Sequence, residues 1–239
     1  MFVDADDILM PRAVEVLYIN AEAHDYDIIQ GSFIRELKDK EDIMMSSTDN
    51  VLTWFHGKIY KVKYLRDKKI SFLPGLRTDE DAYFNAVAWN STDNRGLIKE
   101  VVYLWRDNKN SITRSLPDKE YFIKTHNNYI RGQVQALIKL HEINEIVNQT
   151  FITATLINIY YFYMRARFYK CDEKEMNDII SVLKEEGWMQ SWLSQSKNWV
   201  DITDNIKQGQ VYDNESVVFY EETFNLWAMR LLYADVKGE

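Results

Sequence analysis

Short apolar runs separated by polar turns fill the first half of the chain. Long stretches with apolar residues three and four apart fill the second. Residues 1–3 are apolar and end in acids, which predicts a strand end. Pro11 stands where a first helical turn accepts it. Val14, Leu17, Tyr18 and Ala21 then recur at helical spacing. Residues 27–33 predict a second strand and 58–62 a third. Residues 98–105 predict another, closed by the polar run 106–110. Between these strands Thr78 opens a helix with Tyr83, Phe84 and Val87 on one face. After Pro117 the pattern predicts helices over about 118–143, 146–169, 173–186 and 215–233. Strands followed by helices describe an α/β fold: a mixed sheet with helices over residues 1–115, then an all-α region over 116–239.

Composition narrows the function. With 239 residues, 46% of them hydrophobic and 14% aromatic, the chain can bury a sizeable core. A net charge of −8 argues against a nucleic-acid backbone as partner and suits a site for a divalent cation. The single Cys171 excludes an internal disulfide and fits a reducing, cytoplasmic setting, and its neighbours do not mark it as a nucleophile. The start is acidic by residue 4, unlike a secretory signal. The most apolar stretch, 151–164, is shorter than the roughly 20 residues that cross a bilayer. Without a secretory signal, the Asn-x-Ser/Thr triplets at Asn90, Asn148 and Asn214 carry no meaning for glycosylation.

Three segments could carry chemistry. Asp4-Ala5-Asp6-Asp7 places Asp4 and Asp6 on the same side of an extended backbone. At a strand end they can share one Mg²⁺ or Mn²⁺, which keeps its other positions for water and phosphate oxygens. The bland alternative is a polar turn leading into a helix. Thr78-Asp79-Glu80-Asp81 offers a general base at the mouth of a site, or simply an N-cap with acids complementing the helix dipole. His56-Gly57-Lys58-Ile59-Tyr60-Lys61 offers Lys58 to an anionic acceptor or phosphate, or is an ordinary basic strand.

The order of these segments is more specific than any one of them. An acid cluster comes first, followed by Pro11 and a helix. Asp-Ile-Ile-x-Gly-x-Phe, Gly-Lys-Ile-Tyr-Lys, and Ile70 to Gly75 come next. Glu80-Asp81-x-x-Phe84 follows, and Tyr103-Leu104-Trp105 with Asn110-Ser111-Ile112-Thr113 closes the series. This succession resembles the second half of bacterial and phage family 2 (GT-A fold) glycosyltransferases, over residues 1–115. The resemblance implies transfer of a sugar from a nucleotide-diphosphate sugar, a UDP-sugar first among them, to an acceptor hydroxyl, in one inverting displacement. It implies Asp4 near the donor ribose and metal, Asp6 ligating Mn²⁺ or Mg²⁺, and Asp7 supporting it. Asp81 would be the base, with Glu80 beside it, and Lys58 would shape the acceptor side.

Such enzymes carry a long nucleotide-binding segment before the acid cluster. Nothing after residue 115 alternates strand and helix in its manner, and there is no Gly-rich phosphate loop. The expectation is therefore a GT-A-like sheet completed by a second polypeptide or by a homo-oligomer, with residues 1–3 pairing in it by strand addition. A non-catalytic interaction or structural protein on a degenerate transferase scaffold is the alternative. A two-metal phosphohydrolase would need further His/Asp ligands that the chain does not offer. In the helical half, His126 and His141 are isolated. Trp188, Trp192 and Trp199 fall near one helical face, as core, as a sugar platform or as a subunit seam.

Overall fold

The computed structural model describes residues 1–36, 44–47, 53–106, 108, 116–144, 147–207 and 221–233. The expected elements at 109–115 and 215–220, and Asn214, lie outside these. The chain divides into two compact units, Met1–Gly75 with Glu80–Asp118, and Leu76–Asp79 with Lys119–Glu239.

The first unit is built on a mixed sheet of β1 (Ile8–Leu9), β2 (Ile28–Glu36), β3 (Met44–Ser47), β4 (Lys58–Tyr60) and β5 (Arg95–Trp105). β5 runs parallel to β2 and antiparallel to β1. On its other side β2 pairs antiparallel with β4 through Ile28–Gln30 and with β3 through Phe33–Glu36. β2 is thus flanked on both edges, and its first six residues are all buried. This explains its near-continuous apolar and small composition, which alternation would not predict. Helix α1 (Ala13–His24) lays Ala13 and Leu17 on Ile29, Phe33, Val102 and Tyr103 to form the core. Helices α2 (Val62–Asp67) and α3 (Glu80–Asn90) complete this unit. The short α2 has no counterpart among the predicted elements.

Residues 1–3 are not a strand. They are held by a side chain instead. The Phe2 ring packs against Phe55, Phe72, Phe84 and Tyr60 with centroids 4.6–5.9 Å away. Burial of one aromatic ring replaces the ladder bonds expected there.

The second unit is helical: α4 (Asp118–Asn144), α5 (Gln149–Phe168), α6 (Glu173–Ser181), a 3₁₀ turn (Val182–Glu185), α7 (Gly187–Leu193), α8 (Ser196–Lys207) and α9 (Glu221–Leu231). Asn148 caps α5 by accepting from the N–H groups of Thr150 and Phe151, and Asp172 caps α6 by accepting from Lys174 N. Ile130, Val134 and Leu137 of α4, with Leu156 and Tyr160 of α5 and Met176 and Ile180 of α6, are buried in its core. The three tryptophans do not share one helix face, because the chain breaks between α7 and α8. Each indole N–H has its own acceptor: Glu186 for Trp188, Gln149 for Trp192 and the Leu193 carbonyl for Trp199. His126 is buried against its own helix, and His141 stacks on Trp188. No helix among the described residues is long and apolar enough to cross a membrane.

Candidate active site

The acids at the chain's start form a turn, closed by Asp7 N–H donating to the Asp4 carbonyl at 3.1 Å. The pairing of Ile8 with Leu104 and Leu9 with Tyr103 puts this turn at the carboxyl end of β5. In open α/β sheets, ligands bind outside the carboxyl ends of parallel strands.

Tyr103 organises the turn. Its hydroxyl donates to Asp7 Oδ2 at 2.6 Å and accepts from Asp4 N–H at 3.3 Å. Burial, then the Asp7 hydrogen bond, pushes the phenol well above its ordinary pKa, so it remains a donor. The other Asp7 oxygen accepts from Arg106 N–H at 2.9 Å. The Asp7 side chain is 1% exposed. Its carboxyl group is therefore enclosed, whereas Asp4 is exposed. His56 stacks on Tyr103 with centroids 4.9 Å apart and brings Nε2 to 4.0 Å from Asp7 Oδ2. Asp4, Asp7 and His56 each offer one ligand atom, all within 4.8 Å of one another.

Two carboxylates and an imidazole suit Mn²⁺ better than Mg²⁺, which prefers oxygen alone. The spacing is at the wide end for one ion, so the residues fit a cation with a small inward movement of exposed Asp4. Asp6, expected as the principal ligand, is outside this group. It points the other way round the turn, and its Oδ2 accepts from the Asn108 side chain at 2.7 Å.

The second acidic group enters from α3. Asp79 adopts a left-handed conformation at φ 60°, and the helix begins at Glu80 rather than at Thr78. Asp81 Oδ1 accepts from Ala82 N–H at 2.8 Å. Asn85, one turn on, donates to the carbonyls of Asp81 and Thr53 and accepts from the Tyr60 hydroxyl at 2.6 Å. This buried amide fixes the start of α3 against β4 and the loop before it.

Burial raises the Asp4 pKa, and Asp7, Asp6 and then Glu80 raise it further, so the charge of Glu80 reaches the acid turn. Lys58 departs from expectation. It is completely buried and so cannot touch an acceptor from the surface. Its ammonium donates to the Trp54 carbonyl. Burial lowers its pKa to about 7, and the nearby Asp81 charge opposes that shift. Lys58 is thus an enclosed amine near Asp81 that gives up its proton readily.

His56 and Tyr103 were not distinguished by the sequence pattern. His56 precedes a glycine in a basic segment, and Tyr103 reads as one aromatic of a strand. The signal that could have found His56 is Gly57. Its φ is +67°, and a Cβ there would stand 2.8 Å from the Gly31 carbonyl oxygen. The Gly57 carbonyl accepts from Gly31 N–H at 2.9 Å. Two glycines in contact let the His56–Lys58 segment lie directly on β2.

No family model and no curated protein matches the chain. Solved structures do. The glycosyltransferase TarS of S. aureus, as its 1–349 segment, is similar with a TM-score of 0.51 at 12% identity, over 96% of this chain and 64% of that one. The same segment in complex with UDP-GlcNAc is similar with a TM-score of 0.54 at 11% identity, over 96% of this chain and 65% of that one. The fold is therefore glycosyltransferase-like, and the chain spans just under two thirds of the length of these structures.

Proposed function

We propose that the chain is the metal- and acceptor-side part of a glycosyltransferase that moves a sugar from a nucleotide-diphosphate sugar to a hydroxyl. The observation that carries this is the gathering of Asp4, Asp7 and His56, with the charge of Glu80, at the start of α3, acting on Asp4. The acid turn lies at the carboxyl end of β5, in a fold like that of a protein crystallised with UDP-GlcNAc.

Asp4, with Asp7 and His56 behind it, would hold Mn²⁺ or Mg²⁺, and Asp6 would stay at the rim. A cation bound there would neutralise the diphosphate as it departs. Asp81 takes the proton of the acceptor hydroxyl as that oxygen attacks the anomeric carbon in a single inverting displacement, and Glu80 is the second choice for this role. Buried Lys58 and Asn85 hold Asp81 and its helix in position.

The nucleotide-binding part would be supplied by a second polypeptide, or the site would be completed between copies of this chain. From Arg95 to Val101, the β5 edge away from β2 carries no strand among the described residues, which leaves a ladder for strand addition. That same edge, with the partial span of TarS, also favours the second reading, a non-catalytic interaction protein on this scaffold.

Calorimetry with UDP and Mn²⁺, followed by transfer from UDP-GlcNAc, separates the two readings. The transferase reading expects Mn²⁺-dependent UDP binding that Asp4→Ala weakens. It also expects Asp81→Asn to keep binding while turnover falls by about 10²- to 10⁴-fold. No heat from the chain, alone or with a co-purifying polypeptide, would leave the scaffold reading. Unchanged turnover in Asp81→Asn would remove that residue from the chemistry.

A further inference from the structure

The parallel strands β2 and β5 end side by side, with Phe33 opposite Tyr103 and Arg35 opposite Trp105. Residues two apart on a strand share a face, so these side chains form two rows on one side of the sheet. His56 packs on this face. Its ring centroid is 5.3 Å from Phe33, 4.9 Å from Tyr103 and 4.8 Å from Trp105. Tyr103 and His56 already belong to the candidate metal site, through Asp7 and Asp4. Trp105 therefore touches that site directly, and Arg35 is the next side chain beyond it.

Arg35 is exposed, and its guanidinium carbon stands 4.6 Å from the centroid of the partly exposed Trp105 ring. A guanidinium held on an indole keeps its fork of N–H donors for another partner, and the stacking holds it in place beforehand. Among the described residues Arg35 has no ion-pair partner. Its position matters as much as its charge. It stands at the carboxyl end of β2, beside the carboxyl end of β5, which is the rim where open α/β sheets take their ligands. The transferase reading assigns no role to either Arg35 or Trp105.

We infer that Arg35, seated on Trp105, binds a phosphate group of a substrate at the edge of the acid turn. The guanidinium donates two parallel N–H bonds to phosphate oxygens, a match of geometry that a lysine does not offer, and charge-assisted bonds of this kind are about twice as strong as neutral ones. The phosphate belongs either to the diphosphate of the donor or to the acceptor. The inference deepens the transferase reading and rests on it for the source of the phosphate. The contact itself is read by binding, without turnover.

The test is a titration of the ¹⁵N-labelled full chain with Mg²⁺ present, following the Trp105 indole N–H signal, assigned by its loss in Trp105→Phe. Glycerol phosphate and UDP are the probes, with chloride holding the ionic strength. The expected result is a saturable shift, at about 1–10 mM for glycerol phosphate. Arg35→Gln should weaken binding roughly tenfold, the loss of one charge-assisted contact. Arg66→Gln removes an exposed charge from α2, which follows β4 at the opposite end of β2, and should change nothing. Arg35 is exposed, so its variant is expected to fold, which unchanged indole signals of the other tryptophans would verify. Glycerol phosphate that still shifts the signal at saturating UDP assigns the acceptor's phosphate. Displacement by UDP, or a shift with UDP alone, assigns the donor's diphosphate. Glycerol phosphate binding through Arg35 without any UDP binding would uphold this contact and count against the transferase reading. No saturable shift with either probe, equal affinity in Arg35→Gln, or an equal loss in Arg66→Gln overturns the inference.

Discussion

Lys58 connects burial to a measurable pH dependence. Its ammonium is fully enclosed, and burial takes its pKa from 10.5 to about 7. Below pH 7 the folded and unfolded states both hold the proton, and the folded state bears the whole cost of an enclosed cation. Between pH 7 and 10.5 the unfolded chain binds more protons than the folded one, so stability must rise with pH across that window. The full span corresponds to about 5 kcal/mol, at about 1.4 kcal/mol for each pH unit. Because Lys58 is only half deprotonated at pH 7, the gain from pH 7 to 8.5 works out at about 2 kcal/mol.

Lys58→Met removes this dependence at nearly constant volume. The variant carries no titrating group at this position, so its stability sets the baseline. Urea denaturation of both proteins in metal-free buffer at pH 7 and 8.5 isolates the effect, since every other titrating group cancels in the difference. The wild type should gain about 2 kcal/mol relative to the variant. A difference that stays flat, or moves in favour of the variant, would refute the claim that Lys58 is held neutral by burial above pH 7.

Two further perturbations probe how the site is built. Gly57→Ala forces a side chain into a left-handed backbone position and against the Gly31 carbonyl, so we expect a loss of about 2–4 kcal/mol in urea denaturation. Gly75→Ala, where φ is +83° but the space is open, should lose only about 1 kcal/mol; equal losses would mean that the Gly31–Gly57 contact does not constrain the loop. Tyr103→Phe takes a donor from the enclosed Asp7 carboxylate and an acceptor from Asp4 N–H. It should cost about 1.5–3 kcal/mol of stability and weaken Mn²⁺-dependent UDP binding. Stability unchanged by that substitution would show that the hydroxyl does not hold the acid turn.

Residue patterns alone determined most elements. Apolar residues at helical spacing marked α1, α4 and α5, the last two to within three residues at each end, because the positions a helix buries recur locally. The β2 and β5 strands were legible from apolar runs between turns. The order of acids along the chain pointed to Asp4, Asp6, Glu80 and Asp81 as one chemistry, with Asp7 in support. Distance along the chain could not say which of these acids meet. Asp6 reads as the equal of Asp4, yet an amide from Asn108 turns its carboxylate aside. Lys58 reads as a surface lysine of a basic strand, yet the sheet and α3 enclose it. His56 and Tyr103 came into view only when β5 and the Gly57 loop were laid side by side. Residues 1–3 look like a strand by composition, but a strand needs a ladder partner, and here the Phe2 ring anchors the segment by packing instead. Local periodicity is a property of neighbours in sequence, whereas burial and the pairing of charges belong to neighbours in space, and only the tertiary structure supplies those.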